Sequence, residues 1–195
     1  MADDPFPDLP EDRLSADGWR LEERTVETVF SLPGLRVEGR TLLYEQPDLR
    51  ERVRGATDGR VDQPWRFVFA TRLVFSPPLA PGIGPLSLFP TVHSEACRAF
   101  VADLRERGFD SIRRGRAQRM RTDSGDRARL TKYTAGFETE AVAASLEAWF
   151  AVWIHEGEYR LAGGAYPVDG LSAVGTDVAP ARYREELLAL LRDVR

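Results

Sequence analysis

The stretch EAWFAVWI, residues 147–154, constrains the fold more than any other. In an extended chain successive side chains point to opposite faces. Trp149 and Trp153 then share one side, and Phe150, Val152 and Ile154 share the other. Both sides are apolar, so this strand must be central and covered front and back. Its neighbours define the kind of sheet. Segments 110–122, 127–138, 147–155 and 158–166 read as strands. DSGD (123–126) and HEGE (155–158) read as tight turns between them, each with a glycine that can take a positive φ. Consecutive strands joined by such turns make an antiparallel sheet.

The first half supplies further pieces. WRLEERTVETVFSL and LRVEGRTLLYE flank Pro33-Gly34 and predict a hairpin. PDLRERVRGAT predicts a short helix, with Pro47 in its first turn and Leu49 and Val53 at helical spacing. WRFVFATRLVFS is strand-like and apolar on both parities. PPLAPGIGPLSLFP, residues 77–90, holds five prolines and is expected as a long irregular loop. A helix follows, capped at Thr91 or Ser94, with Cys97, Phe100, Val101 and Leu104 as its stripe and Gly108 as its stop. A closing helix after Pro180 has Tyr183, Leu187, Leu190, Leu191 and Val194 on one face. The class is α+β, a largely antiparallel sheet with two main amphipathic helices. Covering both faces implies an α/β/α sandwich. The alternative is a helix-grip fold, in which the sheet curls around a long helix. Residues 1–17 hold six carboxylates, three prolines and one arginine, and are expected to form a flexible acidic arm. Residues 18–195 are expected to form a single domain, ordered from Trp19.

Composition narrows the setting. No apolar run approaches the roughly 18 residues of a membrane span. The N-terminus lacks the basic and apolar regions of a secretory signal, so a cytoplasmic location is expected. The single cysteine, Cys97, cannot form an internal disulfide. Of the 27 basic residues only Lys132 is a lysine. A formal net charge of −4 weighs against general nucleic-acid binding.

The stretch RRGRAQRMR, residues 113–121, contains five arginines. Regular alternation sends Arg113, Arg119 and Arg121 one way, and Arg114 and Arg116 the other with Ile112 and Met120. A bulge at Gly115 would shift this parity but keep a split of two against three. From Arg105 to Lys132 ten positive groups face four negative ones, whereas residues 1–30 carry nine carboxylates and three arginines. One reading is mutual compensation, with the acidic arm lying across the sheet. The other is a site for an anionic ligand or protein partner on Arg113, Arg119, Arg121 and Arg129. Stacking aromatics are absent from the stretch, which argues against nucleic acid as a partner.

Residues with reactive chemistry are few. HSEAC places His93 and Cys97 at i and i+4 on one helical face, too few ligands for zinc. The His93–Glu95 spacing lacks the Pro-Cys-x-x-Cys of a zinc deaminase. A thiol–histidine pair, Cys97 with His93 or His155, is opposed by burial of the thiol and by the solvated turn expected around His155. PGIGP fits neither phosphate-binding glycine pattern, and no G-x-S-x-G elbow is present. Gly163 and Gly164, in LAGGAYP, are expected at a strand-end bulge or a close backbone approach. No metal and no cofactor is expected.

With near-absence of lysine, and phrases such as RLTKYTAGFE and WIHEGEYRLAGGAYP, the chain resembles uncharacterised proteins of halophilic archaea. The order of hairpins followed by YREELLALL resembles the Mog1/PsbP-like α/β/α sandwich. That resemblance implies a binding or assembly module without active-site chemistry, and it transfers no functional residue. The function expected is a non-catalytic domain that binds a protein or small anionic partner. Two alternatives stand beside it: an enzyme using a pocket under loop 77–90 near His93 and Cys97, and a carrier of an apolar ligand.

Overall fold

The computed structural model describes residues 6–79 and 84–195. The elements run α1 (Glu11–Ala16), β1 (Arg20–Leu32), β2 (Leu35–Glu45), α2 (Asp48–Ala56), β3 (Phe67–Ser76), α3 (Pro85–Glu106), β4 (Asp110–Arg121), β5 (Arg127–Glu138), β6 (Ala143–His155), β7 (Glu158–Asp169) and α4 (Pro180–Asp193). All seven strands form one antiparallel sheet in the order β1-β2-β3-β7-β6-β5-β4. The fold is α+β. Two meanders, β1–β3 and β4–β7, meet where β3 pairs with β7, with Phe67 opposite Ala165 and Arg72 opposite Arg160.

Strand β6, expected to be central, is an interior strand next to the middle strand β7 and is sealed on both sides. Phe150 stacks on Phe100 of α3, with ring centroids 4.7 Å apart and planes 9° from parallel. On the opposite face Trp149 Nε1 donates to Tyr166 Oη at 3.1 Å, and Tyr166 Oη donates to Glu147 at 2.7 Å. The Tyr166 ring meets Tyr183 of α4 edge-on. Helices α3 and α4 therefore cover opposite faces.

Gly163 and Gly164 lie mid-strand in β7, paired in register with both neighbours. A Cβ at Gly163 would meet the Phe69 ring at 2.8 Å, and one at Gly164 would meet the Phe67 carbonyl oxygen at 2.2 Å. The close approach expected from the sequence is present; a strand-end bulge is not.

Two segments differ from expectation. Helix α3 begins at Pro85, so the residues expected as loop 77–90 are helical from 85 onward, and residues 80–83 lie outside the described residues. Pro85 occupies the first helical turn, where its missing N–H costs nothing. Tyr159 Oη donates to the Pro85 carbonyl and fixes this end of α3 to β7. Residues 6–17, expected as a flexible arm, are docked instead. Leu9 and Leu14 are buried, α1 occupies Glu11–Ala16, and Asp8 and Arg195 exchange two backbone hydrogen bonds of 3.0 and 3.1 Å. Two leucines at suitable positions outweigh an acidic average composition.

Candidate functional site

Strand β4 is an edge of the sheet and is exposed along nearly its whole length. Directly opposed residues on antiparallel strands point to the same face. Arg114 lies opposite Tyr133, Ala117 opposite Thr131, Arg119 opposite Arg129 and Arg121 opposite Arg127. The Tyr133 ring meets Phe100 of α3 edge-on at 5.4 Å, which identifies this as the α3 side. Five arginines therefore share that side: 114, 119, 121, 127 and 129. Arg113, opposite Thr134, and Met120, opposite Ala128, face the other way. A register shift between Arg114 and Ala117 causes the exchange. Of the four arginines singled out from sequence, Arg119, Arg121 and Arg129 come together and Arg113 does not. Arg114 takes its place. The three-against-two split within 113–121 persists with different members.

These cations lack the compensation seen elsewhere. Arg66 pairs with Glu186 at 2.5 Å, and Arg72 and Arg160 both reach Glu158, at 2.7 and 3.1 Å. Lys132 pairs with Glu147. Among the described residues Arg113, Arg114, Arg116, Arg119, Arg127 and Arg129 make no ion pair, while Arg121 donates to the Gly125 carbonyl at 3.3 Å. The described part of the N-terminal segment lies elsewhere, with Arg13 3.9 Å from Asp193 and Glu11 accepting from Tyr44 Oη. It does not neutralise β4.

Beside this surface a groove of about 310 Å³ runs between α3 and β4–β5. Ser94, Cys97, Arg98 and Val101 line one wall, and Ile112, Arg114 and Tyr133 the other. No described residue of 77–79 or 84–90 contributes, so this groove is not the pocket expected under that loop. Tyr133 is fully buried, and its hydroxyl has no nitrogen or oxygen partner but lies beside the Cys97 thiol; the Thr131 hydroxyl, two residues earlier on the same face, is buried without a partner. Leaving a buried hydroxyl unpaired costs about 1–3 kcal/mol. Burial pushes the Tyr133 phenol well above its ordinary range, with the neighbouring Cys97 thiol adding to the effect. The hydroxyl therefore stays protonated.

His93 and Cys97 do meet, with Nε2 and Sγ 3.7 Å apart. His93 is buried and lies along Phe89, ring centroids 6.1 Å apart. Burial lowers its pKa to about 4, helped by Arg129 and Arg114. So weak a base is poorly suited to take a proton from a thiol near neutrality. His155, expected to be solvated, is half-buried and bonds through Nδ1 to Asp126 at 2.7 Å, so it is not paired with Cys97. No group of three His, Cys, Asp or Glu side chains that could hold a metal ion occurs among the described residues. No described helix is long and apolar enough to cross a membrane.

The depressed His93 value has a consequence for stability. The folded protein binds this proton less tightly than the unfolded chain, so the contribution is complete above pH 6.5 and is lost as pH falls through about 4. Its full size is about 3 kcal/mol. Urea midpoints measured at pH 7 and 4.5 should show His93→Gln losing about 2 kcal/mol less than the parent protein over that interval. Equal losses would place the His93 proton in an ordinary environment.

The chain belongs to the family described as Domain of unknown function (DUF6517), which matches residues 6–195. No curated protein matches it. Arg114, Arg127 and the buried hydroxyls of Thr131 and Tyr133 were not singled out from the sequence. The i, i+2 spacing of Arg127, Arg129, Thr131 and Tyr133 along β5 was the available signal.

Proposed function

We propose that the protein is a non-catalytic binding domain for a small organic anion, held where the groove between α3 and β4–β5 meets the arginine surface. The observation that carries this reading is the gathering of Arg114, Arg119 and Arg129 on the α3 side with no carboxylate partner among the described residues. Guanidinium groups pair readily with carboxylates and phosphates through a planar fork. The groove favours a small ligand over an extended polyanion, because its walls at Val101, Ile112 and the Tyr133 ring are apolar. The weak basicity of His93 argues against cysteine catalysis in the same place. This reading takes the chain as a cytoplasmic haloarchaeal protein of the Mog1/PsbP-like sandwich type. Its arginine-for-lysine usage and the placement of α3 and α4 on opposite faces support that assignment.

Benzoate and phenylphosphonate, titrated calorimetrically, are suitable probes. Arg119→Glu combined with Arg129→Glu should weaken binding at least tenfold. Raising ionic strength from 0.1 M to 1 M, which shortens the Debye length from about 10 Å to about 3 Å, should weaken it as well. Binding indifferent to both changes, or no binding of either anion, would refute the proposal.

A further inference from the structure

The opposite flank of α3 carries a second groove of different character. The sheet curls there, and edge strand β1 returns into contact with α3. Between them, over β2 and β3, lies a space of about 380 Å³. The α3 wall is built from Ala96, Ala99 and Ala102, whose methyl groups are too short to fill it. Beneath lie the rings of Phe69, Phe100 and Phe150, with centroids 4.7 to 6.2 Å apart. Thr41 and Thr71, joined hydroxyl to hydroxyl at 2.8 Å, add a polar strip to the floor.

The rim carries the opposite charge to the β4–β5 surface. Glu23 and Glu27 lie opposite Leu43 and Gly39 of β2 and line the groove from the β1 side. Glu106 lines it from the end of α3. Among the described residues none of these three carboxylates has an ion-pair partner. Asp103 is already paired with Arg107 at 2.9 Å, and that guanidinium rests over the Phe67 ring. Three uncompensated negative charges thus surround a partly aromatic concavity of ligand size.

We infer that this groove binds a small organic cation with an apolar body, an arylalkylammonium. Its apolar part would lie against the alanines of α3 and the phenyl rings, and its ammonium group would meet Glu23, Glu27 and Glu106. The unpaired carboxylates favour a cation over an anion, and the apolar lining favours a hydrocarbon body. The inference does not depend on the proposal for the other flank.

The test uses 2-phenylethylammonium as probe, with 2-phenylethanol and 3-phenylpropionate as neutral and anionic counterparts, read by chemical-shift changes in the full-length protein. The ammonium should give saturable shifts at Ala96, Ala99 and Thr41. The two counterparts should bind at least tenfold more weakly at those residues. Glu27→Gln with Glu106→Gln, both at exposed positions, should weaken the ammonium about tenfold, and Ala99→Trp should fill the groove and remove binding. Arg119→Glu with Arg129→Glu should leave it unchanged. Absence of saturable shifts, equal affinity for the alcohol, or full affinity in the Glu27→Gln, Glu106→Gln protein would overturn the inference.

Discussion

Truncating Phe150 to alanine is expected to remove about 4 kcal/mol of stability, within the roughly 3–5 kcal/mol typical of emptying a buried phenylalanine site. The ring is 2% exposed and lies flat on Phe100 at 4.7 Å, with Phe69 at 6.2 Å on the same face. Two contributions add: the transfer of a phenyl group from water, and the aromatic contacts, worth about 0.5–1.5 kcal/mol each beyond area. The groove above the ring moderates the total, because the vacated space joins an open concavity that water can enter. For a chain of this size the loss should lower the melting temperature by roughly 8–16 °C. Urea titration would measure it directly. A loss below about 2 kcal/mol would mean that the stack of three rings contributes little to holding α3 on the sheet.

Gly164→Ala is expected to cost roughly 3 kcal/mol, the upper part of the range for forcing atoms into a filled site. Substituting alanine for a mid-strand glycine ordinarily stabilises by about 0.5–1 kcal/mol through reduced chain entropy. Here the added methyl would sit 2.2 Å from the Phe67 carbonyl oxygen and 2.7 Å from Leu187 Cδ1. Leu187 can turn aside, but the carbonyl belongs to the backbone of β3. Relief therefore requires β3 and β7 to separate at the one junction that joins the two meanders. Amide exchange should localise the damage there, with protection lost along Phe67–Arg72 ahead of the β5–β6 ladder. A variant as stable as the parent would show that this junction yields easily.

Local signals in the sequence located most of the elements. The β2 strand, the four C-terminal strands and α4 fall within a few residues of their expected bounds, because each depends on alternation, helical spacing or a glycine turn. In the HEGE turn Glu156 and Gly157 both adopt positive φ, at 49° and 83°, as a tight two-residue hairpin requires. What escaped depends on contacts between distant segments or on competing signals. The start of α3 at Pro85 is disguised by Pro85 and Pro90, which read as loop residues although one of them suits a first turn. The docking of residues 6–17 depends on Leu9 and Leu14 finding a surface supplied by remote parts of the chain. The arginine face was half legible: Arg119, Arg121 and Arg129 emerge from parity, but the irregularity after Arg114 exchanges it with Arg113. Neither groove could be read from local pattern, since each is a space between α3 and strands brought to it by the sheet.

The exposed β4 border also bears on how copies of this protein treat one another. An uncovered strand edge offers free backbone groups to any similar strand, and charge is a common natural deterrent. Were two such borders to zip together, guanidinium would be set near guanidinium along the seam, and like charges directly opposed repel. The cations that would attract a small anion thus also fend off self-templating. Replacing them with alanine would remove the fence together with the proposed anion contacts, whereas lysine would keep the fence but lose the planar fork.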